Sequence, residues 1–136
     1  MLADETSPVF TAKGMNAFGS MFKDIDKIKA AFLGDGALGW ADHDPCLFKG
    51  TERFFRTGYR AYLPGDWIPA LDGVDAKLAA GASVADVGCG HGASVIVMAE
   101  AYPNSQFTGF DYHEPSVATA RQRAEEAGVG GRVRFE

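Results

Sequence analysis

The sequence predicts an α/β domain in which a parallel sheet follows a helical segment. Two observations support this prediction. Apolar residues recur at helical spacing in the first part of the chain, whereas short apolar strands alternate with helical stretches from residue 83 onward. Strands joined by helices imply parallel pairing and right-handed crossovers. We therefore divide the chain into a helical segment, residues 1–73, and a sheet-forming segment, residues 74–136.

The composition is that of one globular domain. The chain has 136 residues, of which 46% are hydrophobic and 23% are charged, and its formal net charge is −5. A general binder of nucleic-acid backbones would carry an excess of Lys and Arg, so this charge predicts no nucleic-acid partner. No stretch approaches the roughly 20 apolar residues that cross a bilayer, which predicts no membrane partner.

Cysteine and histidine positions bear on compartment and metal binding. Cys46 and Cys89 form no CxxC pair, which rules out the usual zinc spacing and a disulfide framework. A cytoplasmic location is therefore expected. The first five residues also lack the basic and apolar regions of a signal peptide. His91 and His113 lie near Asp111 without metal-ligand spacing, so no metal is expected.

Apolar spacing and Gly or Pro stops define the elements of the first half. Residues 1–13 are predicted to form a loose polar segment. One amphipathic helix is predicted over residues 14–33, and glycines end it. Residues 40–50 are predicted to form a loop, and residues 51–63 a second helix that ends at Pro64. The aromatic residues expected to form a packing seam on the first helix are Phe18, Phe22 and Phe32.

Strands and helices are predicted to alternate in the second half. A short helix over residues 74–80, closed by Gly81, precedes a strand over residues 83–87. A buried helix over residues 93–102 and a strand over residues 106–110 follow. Next come a helix that begins at Pro115 and runs to about Ala127, and a third strand that starts at Arg132. The charged residues expected to form a solvated face of that last helix are Arg121, Arg123, Glu125 and Glu126.

A glycine-rich run links the first predicted strand to its helix. It reads Asp86-Val87-Gly88-Cys89-Gly90-His91-Gly92, and Asp111 follows 19 residues later. Glycines at such a turn allow unusual backbone angles and let a ligand approach the main chain. The turn lies at the carboxyl end of a parallel strand, where open α/β sheets bind ligands, and Asp111 ends the next strand, where a carboxylate can take ribose hydroxyls.

This run resembles the first motif of class I S-adenosylmethionine-dependent methyltransferases. Phe107-Thr108-Gly109-Phe110-Asp111 resembles their second-strand motif. The sequence from about residue 67 to residue 136 is similar to a bacterial subfamily of small-molecule-type methyltransferases. In that subfamily a winged-helix domain often precedes the catalytic domain, but no winged-helix pattern is visible here. The resemblance implies a Rossmann-like domain, and it makes residues 74–136 the N-terminal half of that domain.

The resemblance also implies S-adenosylmethionine as the cofactor and a small molecule as the methyl acceptor. The glycines would pass under the methionine part of the cofactor, Asp86 would lie near its amino group, and Asp111 would bind its ribose hydroxyls. His91 would lie near its carboxylate, and Tyr112 could flank its adenine. The implied cofactor-binding residues are Asp86, Gly88, Cys89, Gly90, His91, Gly92, Asp111 and Tyr112. No residue is assigned a catalytic role.

Two other functions remain open at this point. The run Gly88 to Ala93 also fits the G-x-G-x-x-G/A template of NAD(P)-binding proteins, although Asp86 would repel a pyrophosphate. Alternatively, the chain could be a non-catalytic interaction or dimerisation module on a methyltransferase-like scaffold. The aromatic residues Phe54, Phe55, Tyr59 and Trp67 could form a lid over the cofactor, but we favour core packing for them.

The resemblance implies a seven-stranded sheet in the order 3-2-1-4-5-7-6, of which only strands 1 to 3 are predicted here. The first strand would then expose an apolar edge that contains Val84 and Val87, and such an edge invites pairing with another chain. We therefore expect a homo-oligomer, or complementation by the missing C-terminal half.

Overall fold

The computed structural model describes Asp4, residues 7–34 and residues 36–136. Predictions that fall on residues 1–3, 5, 6 and 35, including most of the one on a signal peptide, lie outside the described residues. Within the part of the chain that is described, no helix is long and apolar enough to span a bilayer.

In the described part of the chain, four α-helices precede the sheet. Their bounds are α1 (Met15–Lys23), α2 (Ile25–Phe32), α3 (Cys46–Tyr62) and α4 (Val74–Ala80). Short helical turns lie at Ala12–Gly14 and Trp40–Asp42, and a π-helical turn over Leu63–Trp67 extends α3.

The prediction of one helix over residues 14–33 is wrong, because Asp24 separates α1 from α2. Asp24 is 1% exposed, and its carboxylate accepts the Asp44 backbone N–H at 2.8 Å. Lys27 Nζ lies 2.9 Å from the same carboxylate, and His43 Nδ1 lies 3.2 Å from it. These contacts lower the pKa of Asp24 to about 2, first through the Asp44 N–H and then through Lys27. The bend therefore joins α1 and α2 to the segment that leads into α3.

The predicted packing seam is also wrong. Phe18, Phe22 and Phe32 are 56%, 79% and 89% exposed. Phe18 and Phe22 lie on the same helix, α1, and both are exposed, so helical spacing of apolar residues did not identify a face that another element covers.

Helix α3 begins five residues earlier than predicted and crosses α1 closely. Pro45 occupies its N-cap position, so much of the predicted loop over residues 40–50 is helical. At Gly50, a Cβ atom would lie 2.2 Å from the backbone nitrogen of Ala17, which leaves no room for a side chain where the two helices meet.

The second half matches the prediction closely. Its elements are β1 (Ser83–Val87), α5 (Ala93–Ala101), β2 (Gln106–Phe110), α6 (Glu114–Glu126) and β3 (Val133–Phe135). The strands form one parallel sheet in the order β1-β2-β3, with Ser83 paired to Gln106 and Phe107 to Val133. The predicted Rossmann-like α/β class, preceded by a helical segment, is confirmed.

The core lies between the sheet and the helices α5 and α6. Phe107 of β2, Val95 of α5 and Val117 of α6 are at most 2% exposed and belong to one apolar cluster. By contrast, Val87 at the end of β1 is 84% exposed. This arrangement holds the carboxyl ends of β1 and β2 side by side at one edge of the core.

Candidate functional site

The glycine-rich turn between β1 and α5 has a backbone that suits glycine. Gly88, Gly90 and Gly92 have φ angles of 80°, 53° and 74°, in the left-handed region that L side chains rarely adopt. The Phe110 carbonyl accepts the backbone N–H groups of Gly88 at 2.7 Å and Cys89 at 3.1 Å. The end of β2 therefore holds the turn in place.

Asp111 fixes the turn with its side chain. Its Oδ2 accepts the Gly90 N–H at 2.8 Å, and its Oδ1 accepts the His113 N–H at 2.9 Å. A carboxylate oxygen can accept more than one hydrogen bond, so both oxygens keep acceptor capacity for a ligand. Asp111 thus connects the two strand ends and still faces the cavity described below.

Asp86, at the end of β1, accepts the hydroxyl hydrogen of Ser94 at 2.5 Å. Because Ser94 lies in the first turn of α5, this bond ties the strand end to the helix that follows the turn. The contact uses Oδ2 of Asp86.

A cavity of about 720 Å³ opens in front of this turn. The predicted site residues that line it are Asp86, Gly88, Cys89, Gly90, His91, Asp111 and Tyr112. Gly92 is the exception, because it faces the core: a Cβ there would lie 2.6 Å from the Phe135 ring. The structure thus brings seven of the eight predicted residues to one concave surface of a size that suits small-molecule ligands.

Helix α3 forms the opposite wall of the cavity. The residues that it contributes are Phe48, Thr51, Glu52, Phe55 and Tyr59, and Trp40 joins them from the preceding turn. Four of them, Phe48, Glu52, Phe55 and Tyr59, recur at helical spacing of three or four residues, which places them on one face. Sequence reasoning missed Trp40, Phe48, Thr51 and Glu52; the spacing within α3 was the signal that could have found the last three.

The preference for core packing of the α3 aromatic residues is wrong for three of them. Phe54, Phe55 and Trp67 are 48%, 49% and 49% exposed. Phe55 and Tyr59 line the cavity, whereas Phe54 and Trp67 lie outside its lining.

A charged cluster around the buried Glu52 attaches the α3 wall to α6. The Glu52 carboxylate lies 2.9 Å from Arg123 Nη1 and 3.3 Å from Arg56 Nε. Arg123 was predicted to lie on a solvated helix face, and this contact corrects that prediction. His91 is 9% exposed, and burial, followed by the charge of Arg123, lowers its pKa. The imidazole is therefore neutral at neutral pH.

Cys89 has the environment of a packing residue. Burial raises the pKa of its thiol to about 11, with further contributions from Asp86 and Asp111. The thiol stays protonated at neutral pH, which disfavours a nucleophilic role. Within the described ranges, no group of three or more His, Cys, Asp or Glu side chains is arranged to hold a metal ion.

Comparisons with known proteins agree with this geometry. Residues 78–136 match a family model described as a methyltransferase domain. A curated tRNA (guanine-N(7)-)-methyltransferase from Edwardsiella ictaluri is 37% identical over 62 residues, which are 46% of this chain and 24% of that protein. The chain thus spans about a quarter of the length of this relative. The predicted resemblance to S-adenosylmethionine-dependent methyltransferases is confirmed over the second half of the chain.

Two solved structures share the fold over nearly the whole chain. An O-methyltransferase family protein from Burkholderia thailandensis aligns with a TM-score of 0.65 at 16% identity, and covers 96% of this chain and 39% of that one. The O-methyltransferase NcsB1 from neocarzinostatin biosynthesis, solved with S-adenosylmethionine and a naphthoic acid, aligns with a TM-score of 0.52 at 19% identity over 98% of this chain and 39% of its own. At these identities the likeness concerns the fold.

Proposed function

We propose that this chain is the donor-binding part of an S-adenosylmethionine-dependent methyltransferase. The observation that carries the proposal is the glycine turn, which faces the cavity between the carboxylates of Asp86 and Asp111. A Cβ atom at Gly88 or Gly90 would meet nothing within 4 Å, so a ligand has room to approach the backbone there. These residues lie inside the segment that matches the methyltransferase family model.

The proposed donor contacts follow from this arrangement. Gly88 and Gly90 pass under the methionine part of the donor, and Asp86 receives its cationic amino group. Asp111 accepts the ribose hydroxyls through the acceptor capacity that its two backbone contacts leave free. Tyr112, which is 76% exposed at the cavity rim, flanks the adenine. Cys89 and His91 also line the cavity and are proposed to contact the donor. Gly92 faces the core and supports the turn from its opposite side.

The chemistry asks little of the protein beyond alignment. Bound S-adenosylmethionine supplies a methyl group that its sulfonium already makes electrophilic. The residues of this chain bind the donor and orient it, and the α3 wall screens the reacting centre from water. We assign no general base.

The acidic turn argues against a dinucleotide in the same place. The carboxylate of Asp86 stands beside the glycine turn, where it would repel a pyrophosphate but would attract an ammonium or sulfonium group. Within the described residues, its side-chain partner is the neutral Ser94 hydroxyl, and no cation offsets its charge.

We further propose that the acceptor is a small molecule. The concave cavity and the net charge of −5 support this proposal over a tRNA acceptor, which the curated relative named above methylates. Incubation of the chain with labelled S-adenosylmethionine and unmodified tRNA tests the alternative. Transfer of label to guanine would contradict the small-molecule proposal.

Calorimetric titration with S-adenosylmethionine, with NADH as the competing ligand, tests the donor site. We expect binding of the methyl donor alone, and loss of at least tenfold in affinity in Asp111→Ala, because that change removes the acceptor for Gly90 and His113. Asp111→Asn keeps the shape of the side chain without its charge. Its thermal melting temperature, compared with that of the unmodified chain, separates a folding defect from a binding defect. Asp72→Ala removes an exposed carboxylate outside the cavity lining and serves as the control. Binding of NADH instead would sink the proposal.

A further inference from the structure

We infer that the methyl acceptor is a planar molecule without negative charge, which lies against the aromatic face of α3. This face comprises Phe48, Phe55 and Tyr59. The inference rests on the proposed function, since it assumes that the glycine turn holds the methyl donor.

The two walls of the cavity differ in chemistry. The wall built by the glycine turn offers backbone groups and the carboxylates of Asp86 and Asp111. The wall built by α3 offers rings. A donor on the first wall leaves the second as the surface that an acceptor meets.

The rings of the aromatic face are already arranged for planar packing. Phe55 and Tyr59 are nearly parallel, with an interplanar angle of 21° and centroids 6.1 Å apart. Phe48 is held from behind by stacking on His113, with centroids 4.5 Å apart. Phe55 is nevertheless 49% exposed in a concave site, so much of its apolar surface is available to a ligand. Planar rings pack on such a surface by offset stacking or edge-to-face contact.

The charges around the cavity select against anions. The acidic residues that line it are Glu52, Asp86, Asp111 and Glu136, and its described lining contains no Lys or Arg. Arg56 and Arg123 offset the charge of Glu52 from behind. Asp86 and Asp111, in contrast, accept hydrogen bonds from a hydroxyl and from backbone amides, which carry no charge.

With the donor's ammonium group on Asp86, an acceptor that carries a carboxylate or a phosphate would still meet the negative charges of Asp111 and Glu136, and the described lining offers no Lys or Arg to pair with it. Repulsion between like charges is strong in a partly enclosed, low-dielectric site. A neutral ring avoids this repulsion, and a cationic ring gains attraction from both the carboxylates and the aromatic faces.

Three naphthalene probes of similar size test the inference on the full chain. They are 2-naphthol, 1-naphthylmethylamine and 2-naphthoate, which are neutral, cationic and anionic at pH 7. Their affinities are measured by calorimetry with the chain saturated by S-adenosylhomocysteine. We expect 2-naphthoate to bind at least tenfold more weakly than the other two.

Adjacent residues of α3 provide a matched pair of variants. Phe55→Leu removes a ring that lines the cavity, whereas Phe54→Leu removes a ring of equal exposure, 48% against 49%, that does not. We expect Phe55→Leu to weaken 2-naphthol binding about fivefold and Phe54→Leu to leave it unchanged. Both positions are exposed, so neither change should unfold the chain.

Three results would overturn the inference: 2-naphthoate binding as tightly as 2-naphthol, equal effects of the two Phe variants, or failure to bind any probe. The titration that saturates the chain with S-adenosylhomocysteine, carried out before any probe is added, reports on the donor site alone. If S-adenosylhomocysteine does not bind, the result counts against the proposed function. If it binds normally but the three probes bind with equal affinity, the result counts only against the inferred acceptor class.

Discussion

Asp24 shows how one side chain decides the course of the first half of the chain. Its carboxylate is buried and accepts the backbone N–H of Asp44, with Lys27 and His43 beside it. The spacing of apolar residues around it is that of a continuous helix. The break depends on a partner that is 20 residues away in sequence, which explains why helical spacing alone did not reveal it.

The same residue predicts how the fold responds to acid. The pKa of Asp24 falls from an ordinary 3.8 to about 2, so the folded state favours the ionised carboxylate. Its contribution to stability is present above pH 3.8 and is lost as the pH falls from about 4 to about 2. We expect Asp24→Asn to lower the free energy of unfolding at pH 7 and to flatten its decline across this window, as measured by urea denaturation at a series of pH values.

Asp26→Asn is the control for this experiment, because Asp26 is an exposed acid near the same bend. An acid-stability profile of Asp24→Asn that overlays that of Asp26→Asn would show that the buried carboxylate does not stabilise the bend.

At the scale of elements, helix α3 depends on a close approach to α1. A Cβ atom at Gly50 would lie 2.2 Å from the Ala17 nitrogen and 2.9 Å from the Ala17 Cα, so any larger side chain forces the helices apart. We expect Gly50→Ala to lower the free energy of unfolding by about 1–3 kcal/mol, as overpacking typically does. Urea denaturation followed by far-ultraviolet circular dichroism measures the change.

Gly58 supplies the matched control on the same helix. The nearest atom to a Cβ there is in the Trp67 ring, at 3.9 Å, so alanine fits. Because alanine favours helix over glycine, Gly58→Ala should raise the free energy of unfolding by up to about 1 kcal/mol. A similar gain from Gly50→Ala would refute the proposed close packing of α1 on α3.

The accuracy of the predicted elements follows from how local their signals are. The bounds of β1 and β2 were predicted correctly, and those of α5 and α6 to within one residue, because glycines and prolines next to them mark their ends. Helix α3 was predicted too short because Gly50 was taken for a loop residue, although it lies at a helix crossing. Pro45 is a favourable first-turn residue and was the available signal for the true start.

The candidate site also has a part that local sequence signals identify and a part that tertiary packing determines. The glycine turn and Asp111 could be found from sequence, because one run of residues and one strand end contain them. The spacing within α3 marks one face of a helix, but that this face meets the glycine turn depends on how α3 packs against α1 and α5. Arg123 illustrates the difference: its sequence neighbours suggest a solvated face, but tertiary packing pairs it with Glu52.

At the scale of the whole molecule, several large apolar side chains lie outside the core. Phe22, Phe32 and Val87 are 79%, 89% and 84% exposed, on α1, on α2 and at the end of β1. Exposed apolar side chains and an open strand edge favour association. We expect the purified chain to self-associate, with a mass above 14.5 kDa in light scattering.

Phe22→Glu combined with Phe32→Glu should reduce this association, because both changes place charge on the exposed helix surface. Lys29→Glu, on the same stretch, introduces charge without removing apolar surface and is the control. A wild-type chain that is monodisperse at the monomer mass across concentrations would contradict the expectation.

The hydrogen bonds of the glycine turn also set an order of events during synthesis. The amides of Gly88, Cys89 and Gly90 find their acceptors in Phe110 and Asp111, about twenty residues later in the chain. A ribosome reads these positions from the amino end, so the turn emerges well before the groups that hold it. A nascent chain that stops before Phe110 therefore has the motif but not the hydrogen bonds that hold it, and the proposed donor site can form only when the second strand has left the exit tunnel.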